Sequence, residues 1–229
     1  MSVRRVVFDA VGTLIFARPD VATAYHSIGR RHGSRLSREQ IAANFRKAFR
    51  EAENRDRTGE GSCRTSEAAE EDRWRRIVAD VLPDVSSHEE CFAELFEHFG
   101  LTESWACFEE VQLALDQLRI RGFELAIASN FDTRLHPVCD GLAPLAEIRQ
   151  RVVSSEVGFR KPSRSFYDAL LDEIGAAPDE VLMVGDDLEN DVRGAESAGI
   201  RAVLIHRREG SPPAGVAFVK SLLELETVL

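Results

Sequence analysis

The chain has 229 residues, enough for one large domain or a core with an inserted subdomain. Its apolar fraction of 44% is ordinary for a folded globular protein, and no apolar run is long enough to span a membrane. A formal net charge of −10 argues against nucleic acid and anionic membrane surfaces as partners, because both recruit clustered Lys and Arg.

Val6 to Phe8 is an apolar run that ends in Asp9 and the tight turn Ala10-Val11-Gly12-Thr13. It reads as a strand delivering one carboxylate into a loop. From about Arg18 to Gly100 no strand pattern follows. Val21, Tyr25, Ile28 and His32 lie at helical spacing. Ser37 to Gln40 forms a capping box ahead of Ile41, Phe45, Ala48 and Phe49. The polar stretch Asn54 to Ser66 is expected to be a loop. Trp74, Ile77, Val78, Val81 and Leu82 form an apolar helical stripe, and Ser87 to Glu90 is a second capping box ahead of Phe92, Leu95, Phe96 and Phe99. A helix around Glu110 to Arg121 leads back into short apolar runs at Phe123 to Ala128, Val152 to Val153, Val181 to Val184 and Ala202 to Ile205. Arg207 to Gly215, with Pro212-Pro213, reads as a loop. Val216 to Val219 reads as an edge strand, followed by a short C-terminal helix. Short strands alternating with helical patterns indicate βαβ units on a parallel sheet. The fold class is therefore α/β, with residues 1–16 and 101–229 forming the core and 17–100 an inserted helical subdomain.

The four cysteines, Cys63, Cys91, Cys107 and Cys139, form no CxxC pair, so free thiols in a reducing compartment fit better than a zinc or redox motif. The chain start reaches Asp9 before any secretory apolar segment, so no signal peptide is expected and the cytoplasm is the expected location. Nothing in the sequence sets an oligomeric state.

Four polar elements follow predicted strands, where open α/β sheets place their sites. They are Asp9 with Thr13, Ser129-Asn130, Lys161, and the acidic turn Asp186-Asp187-Leu188-Glu189-Asn190-Asp191. A carboxylate that attacks a phosphoryl group must overcome like-charge repulsion, which a divalent cation and fixed donors relieve. Mg²⁺ prefers oxygen ligands. Asp9, Asp186, and Asp191 or Asp187 can supply them, and the Val11 backbone carbonyl can add one more. Ser129 and Asn130 can donate to phosphoryl oxygens, and Lys161 can offset the crowded acids.

The ordered segments FDAVGTL, IASNFD, GFRKP and VGDDLENDVRGAESAG resemble the haloacid dehalogenase-like hydrolase superfamily over nearly the whole chain. The resemblance implies a Rossmann-like parallel-sheet core, a helical-bundle cap, an aspartyl-enzyme intermediate and a small anionic substrate. By motif position Asp9 is the nucleophile and a metal ligand, Ser129 the phosphate binder, Lys161 the motif lysine, and Asp186 and Asp191 the metal-side acids, with Mg²⁺ as cofactor. The sequence departs from the pattern at Val11. In the family's phosphatases an acid there protonates the leaving alkoxide and then activates water, a contribution of ~10²–10⁴-fold. Three outcomes follow: a Mg²⁺-dependent phosphatase for good leaving groups, a metal-independent 2-haloacid dehalogenase, or a degenerate scaffold with a binding role. The retained acids favour the first.

Among the remaining residues, Arg18, Arg30 and Arg31 are expected to be a solvated patch, and Arg160 either adds positive potential at the cleft mouth or is a solvated surface residue. His26, His32 and His136 are expected in surface or packing roles, and Trp74 and Trp105 to pack at helical positions.

Overall fold

The computed structural model describes all residues except 1–2, 59–61, 208–209 and 211–213. Its main sheet contains β1 (Arg5–Phe8), β4 (Glu124–Ser129), β5 (Gln150–Val153), β6 (Val181–Gly185), β7 (Arg201–Ile205) and β8 (Phe218–Val219). Their order is β5-β4-β1-β6-β7-β8, and every neighbouring pair is parallel. β2 (Ile15–Ala17) and β3 (Trp105–Cys107) make a separate antiparallel ribbon.

Both faces of the sheet are covered, so its strands are apolar on both sides, with successive residues pointing alternately into two cores. Val6, Phe8, Ile127, Leu182 and Val184 enter one core, with Leu115 and Leu118 from α5 (Val111–Ile120). Val7, Ala126, Ala128, Val181 and Met183 face the other way. They meet Phe166, Tyr167 and Leu170 of a helix running Arg164–Ile174. The five apolar runs read from the sequence thus coincide with the five main strands. The edge strand is confined to two residues, and the C-terminal helix is a 3₁₀ segment, Leu222–Thr227.

Four helices intervene between β2 and β3: α1 (Val21–Arg31), α2 (Arg38–Thr58), α3 (Glu67–Val81) and α4 (His88–His98). They enclose a core of their own built from Tyr25, Ile28, Ile41, Ile77, Val81, Phe92 and Leu95. The first expected capping box forms in full, and the second forms only its N-cap half. The Ser37 hydroxyl accepts from the Gln40 N–H while the Gln40 side chain accepts from the Ser37 N–H, and Ser87 caps Glu90. Two expectations fail. The loop at Asn54 to Ser66 begins later, because α2 continues to Thr58, and the rest of that stretch includes residues outside the described set. Trp105 lies in a strand, where its indole N–H donates to the Phe99 carbonyl at 3.0 Å. The Pro212-Pro213 loop also lies outside the described residues. Among the described residues no helix is long and apolar enough to cross a membrane.

The helices are fastened to the sheet domain beside Lys161. Arg64 and Phe159 form an antiparallel bridge, the Arg160 N–H donates to the Cys63 carbonyl at 2.7 Å, and the Thr65 N–H to the Gly158 carbonyl at 3.0 Å. Arg160 is not a surface residue. It is buried against Glu70, with Asp56 and Glu53 at 3.6 and 3.7 Å, and Arg73 pairs with the same Glu53 and Asp56. Glu70→Gln therefore leaves a buried guanidinium short of charge. We expect a loss of about 3 kcal/mol, or about 6–12 °C in Tm by calorimetry. An unchanged Tm would mean that water reaches this cluster. The exposed Arg75 pairs with Glu71, Asp72 and Glu89 contribute little by comparison.

Candidate active site

Three strand ends converge. β1 delivers Asp9, β4 delivers Ser129, and β6 delivers Asp186 immediately after Gly185. Lys161 enters from the loop ahead of the Arg164–Ile174 helix. Its ammonium donates to Asp9 Oδ1 at 2.8 Å, Asp191 Oδ1 at 2.6 Å and the Ala128 carbonyl at 2.9 Å. One buried cation thus braces two buried carboxylates. Oxygens of Asp9, Asp186 and Asp191 all lie within 4.8 Å of one another.

Two glycines make this crowding possible. Gly12 has φ +94°, and a Cβ there would lie 2.4 Å from an Asp186 oxygen. A Cβ on Gly185 would lie 2.2 Å from the Asp191 carboxyl carbon. No side chain can be added at either position without moving an acid.

The acids strain against their surroundings. Burial is the largest influence on each, and it raises all three pKa values. Asp191 is pushed up to about 7, with Lys161 opposing and Asp9 reinforcing the shift. Asp186 is pushed to about 6, with the Asp191 and Asp187 charges adding to burial. Asp9 is also raised, although Lys161 works against the shift. Asp186 is exposed by surface area, but its surface opens onto a cavity walled by protein and other carboxylates. That enclosure governs its charge more than its contact with water does. Among the described residues no Lys, Arg or His forms an ion pair with Asp186.

The other expected residues are placed as follows. Ser129 Oγ lies 3.5 Å from Asp9 Oδ1, a long contact that leaves the hydroxyl available. Val11 lines the cavity with its side chain 39% exposed, so the position where an acid could act opens directly on the site. Asn130 has other duties: its amide accepts from the Lys161 N–H at 2.7 Å and donates to the Lys161 carbonyl at 3.0 Å. Asp187 accepts from the Glu189 and Asn190 N–H groups, capping the π-helical segment Leu188–Arg193. It is therefore committed to the backbone. Thr13 is fully buried and does not line the cavity.

The small candidates resolve into pairs. Arg31 and His32 both meet Glu94, and His136 meets Glu156. Trp74 and Trp105 do more than pack, because both line the cavity. Phe49 of the α2 stripe also lines it, as do Glu53 and Arg73, which were not singled out in the sequence. A signal for them existed. Glu53 follows Phe45 and Phe49 at four-residue spacing on α2, and Arg73 precedes Ile77 by four on α3. Charges that continue an apolar stripe are facing inward.

A doubly covered parallel sheet with carboxylates gathered at its strand ends defines a Rossmann-like α/β protein whose site lies at the carboxyl edge of the sheet. The chain belongs to the haloacid dehalogenase-like hydrolases, whose family profile matches residues 3–199. The mouse haloacid dehalogenase-like hydrolase domain-containing protein 3 is 29% identical over 219 residues, covering 93% of this chain and 84% of that protein. Among solved structures, the HAD-hydrolase YfnB of Bacillus subtilis bound to magnesium superposes with TM-score 0.79 at 16% identity, covering 100% and 99% of the two chains. The defluorinating L-2-haloacid dehalogenase Rha0230 gives TM-score 0.79 at 18% identity, covering 99% and 95%.

Proposed function

We propose that the protein is a Mg²⁺-dependent phosphatase that works through an aspartyl-phosphate on Asp9 and acts on a small phosphorylated metabolite with a good leaving group. The supporting observation is a charge imbalance. Among the described residues five carboxylates line the cavity (Asp9, Glu53, Asp186, Asp187 and Asp191) against three cations, Arg73, Arg160 and Lys161. A dehalogenase that works without metal would bring a carboxylate substrate into that negative field.

The donor set fits a hard cation. Asp9 and Asp186 offer carboxylate oxygens, the Val11 carbonyl accepts no backbone hydrogen bond among the described residues, and Asp191 completes the cluster. Bound Mg²⁺ supplies charge neutralisation at the transferring phosphoryl group. Lys161 holds Asp9 in line, and Ser129 Oγ is free to donate to a phosphoryl oxygen. Asp9 attacks phosphorus, the ester P–O bond breaks, and the leaving oxygen departs with the electron pair. Water then attacks phosphorus and frees Asp9. Val11 can neither protonate the leaving oxygen nor activate that water, so esters whose oxygen leaves as a stable anion are favoured.

The test compares p-nitrophenyl phosphate hydrolysis with and without Mg²⁺, alongside chloride release from 2-chloropropionate. Metal-independent chloride release with no phosphatase activity would reject the proposal. Silence in both assays, with no Mg²⁺ binding by calorimetry, would point to the scaffold reading.

The raised acids make a separate prediction. Without metal, the native chain holds protons on Asp186 and Asp191 up to about pH 6 and 7, whereas the unfolded chain releases them near 4. The native state binds more protons across that window, so stability falls as pH rises through it. Mg²⁺ binds the deprotonated acids. Its addition should therefore raise Tm more at pH 8 than at pH 5.5, read by thermal unfolding. An equal or larger rise at pH 5.5 would contradict a metal site among these acids.

A further inference from the structure

The cavity above Asp9 has a volume of about 430 Å³. Its carboxylates and Lys161 lie at the strand ends, and its far wall is aromatic: Tyr25, Phe45, Phe49, Trp74, Phe99 and Trp105. Phe45 and Phe49 stack with centroids 5.8 Å apart and planes 17° from parallel. Phe49 continues to Trp74 at 6.3 Å, and Phe99 to Trp105 at 5.9 Å. Such rings present flat, polarizable faces that hold another ring well. The volume suits a phosphate with a one- or two-ring group attached.

The charges of this wall are also informative. Arg73 sits over the Phe49 ring with its guanidinium carbon 5.1 Å from the centroid. It is bound to Asp56 at 2.8 Å and Glu53 at 3.1 Å. Arg160 is held by Glu70, and Lys161 by Asp9 and Asp191. Among the described residues every cation lining the cavity thus already has a carboxylate partner. A second anionic group on a substrate would find none free and would face Glu53. Desolvating an unmatched charge there is unfavourable.

We infer that the physiological substrate class is the phosphomonoester of an uncharged phenol, with the ring against the Phe45–Phe49–Trp74 wall and no second anion. This rests on the phosphatase reading above. Two independent features converge on it. The wall selects a ring, and Val11 selects a leaving oxygen that departs unprotonated, as a phenolate does.

The experiment uses the full chain with Mg²⁺ and three probes: 1-naphthyl phosphate, acetyl phosphate and phosphoglycolate. Acetyl phosphate has a good leaving group without a ring, and phosphoglycolate carries a second anion. We expect kcat/KM for the naphthyl ester to exceed that for either other probe by at least about tenfold, the scale of one well-packed apolar group. Phe49→Leu, and separately Trp74→Leu, should lower the naphthyl-to-acetyl ratio of kcat/KM about five- to tenfold, chiefly through KM. Calorimetric titration with 1-naphthol reads the ring site without turnover. Acetyl phosphate or phosphoglycolate turned over as well as the naphthyl ester, with no naphthol binding, overturns the aromatic assignment and leaves the phosphatase reading intact. Naphthol binding with no hydrolysis of any phosphate overturns the phosphatase reading, and the ester assignment with it.

Discussion

Asp9→Asn is expected to abolish phosphomonoester turnover, by about 10⁴-fold or more in kcat. The amide keeps the size of the carboxylate but not its nucleophilicity. It also withdraws one oxygen from the acid cluster. The fold should survive, because Lys161 retains Asp191 and the Ala128 carbonyl. Burial already opposes the charge on Asp9, so removing that charge relieves the metal-free protein rather than harming it. The measurement is kcat on p-nitrophenyl phosphate together with Tm. Full folding with more than about 1% of the parent kcat would remove Asp9 as the nucleophile, since a lost covalent nucleophile costs far more than that.

Val11→Asp is expected to raise turnover of alkyl phosphates by about 10²-fold, at the low end of what a positioned general acid supplies. The Val11 side chain opens on the cavity, so a carboxyl there needs no repacking. Its neighbours are acids, which hold its proton longer and so suit it to act as a donor. An alkoxide leaving group needs that proton, and a phenolate does not. Aryl phosphates should therefore change little. Equal gains on both classes, or none on either in a folded variant, would show that leaving-group protonation does not limit the reaction.

Much of the scaffold was legible because strand burial and helix capping are local. Val6, Val7 and Phe8 alternate between two cores, and Ser37 and Ser87 cap the helices they precede. The gathering of Asp9, Ser129, Lys161 and Asp186 could be read because each follows a strand of one parallel sheet. What stayed hidden depends on directions that sequence spacing does not carry. Asn130 is a donor by type, yet its amide is spent on the Lys161 backbone. Asp187 is an acid by type, yet it caps a helix. Trp105 directly follows a 3₁₀ turn and belongs to a strand. Glu53 and Arg73 do not stand out in the sequence, and Arg160 is explained there equally well by solvation, because charged side chains are usually solvated. Their placement follows from mutual neutralisation, between α2 and α3 for Arg73 with Glu53 and Asp56, and across 90 residues of chain for Arg160 with Glu70.

The strand order has a consequence for the nascent chain. β1 is the third strand in the sheet, with Arg5 paired to Glu124 on one side and Val181 on the other. The helical insert finds its core partners within residues 21–99, so it can assemble while the rest is still being synthesised. β1 cannot. As translation proceeds, the strand that leads into Asp9 is made before every other strand of its sheet, yet its second neighbour, β6, begins only at Val181. Until β6 leaves the ribosome, one edge of Arg5–Phe8 stays unpaired, and chains halted before residue 181 should be the ones that engage chaperones.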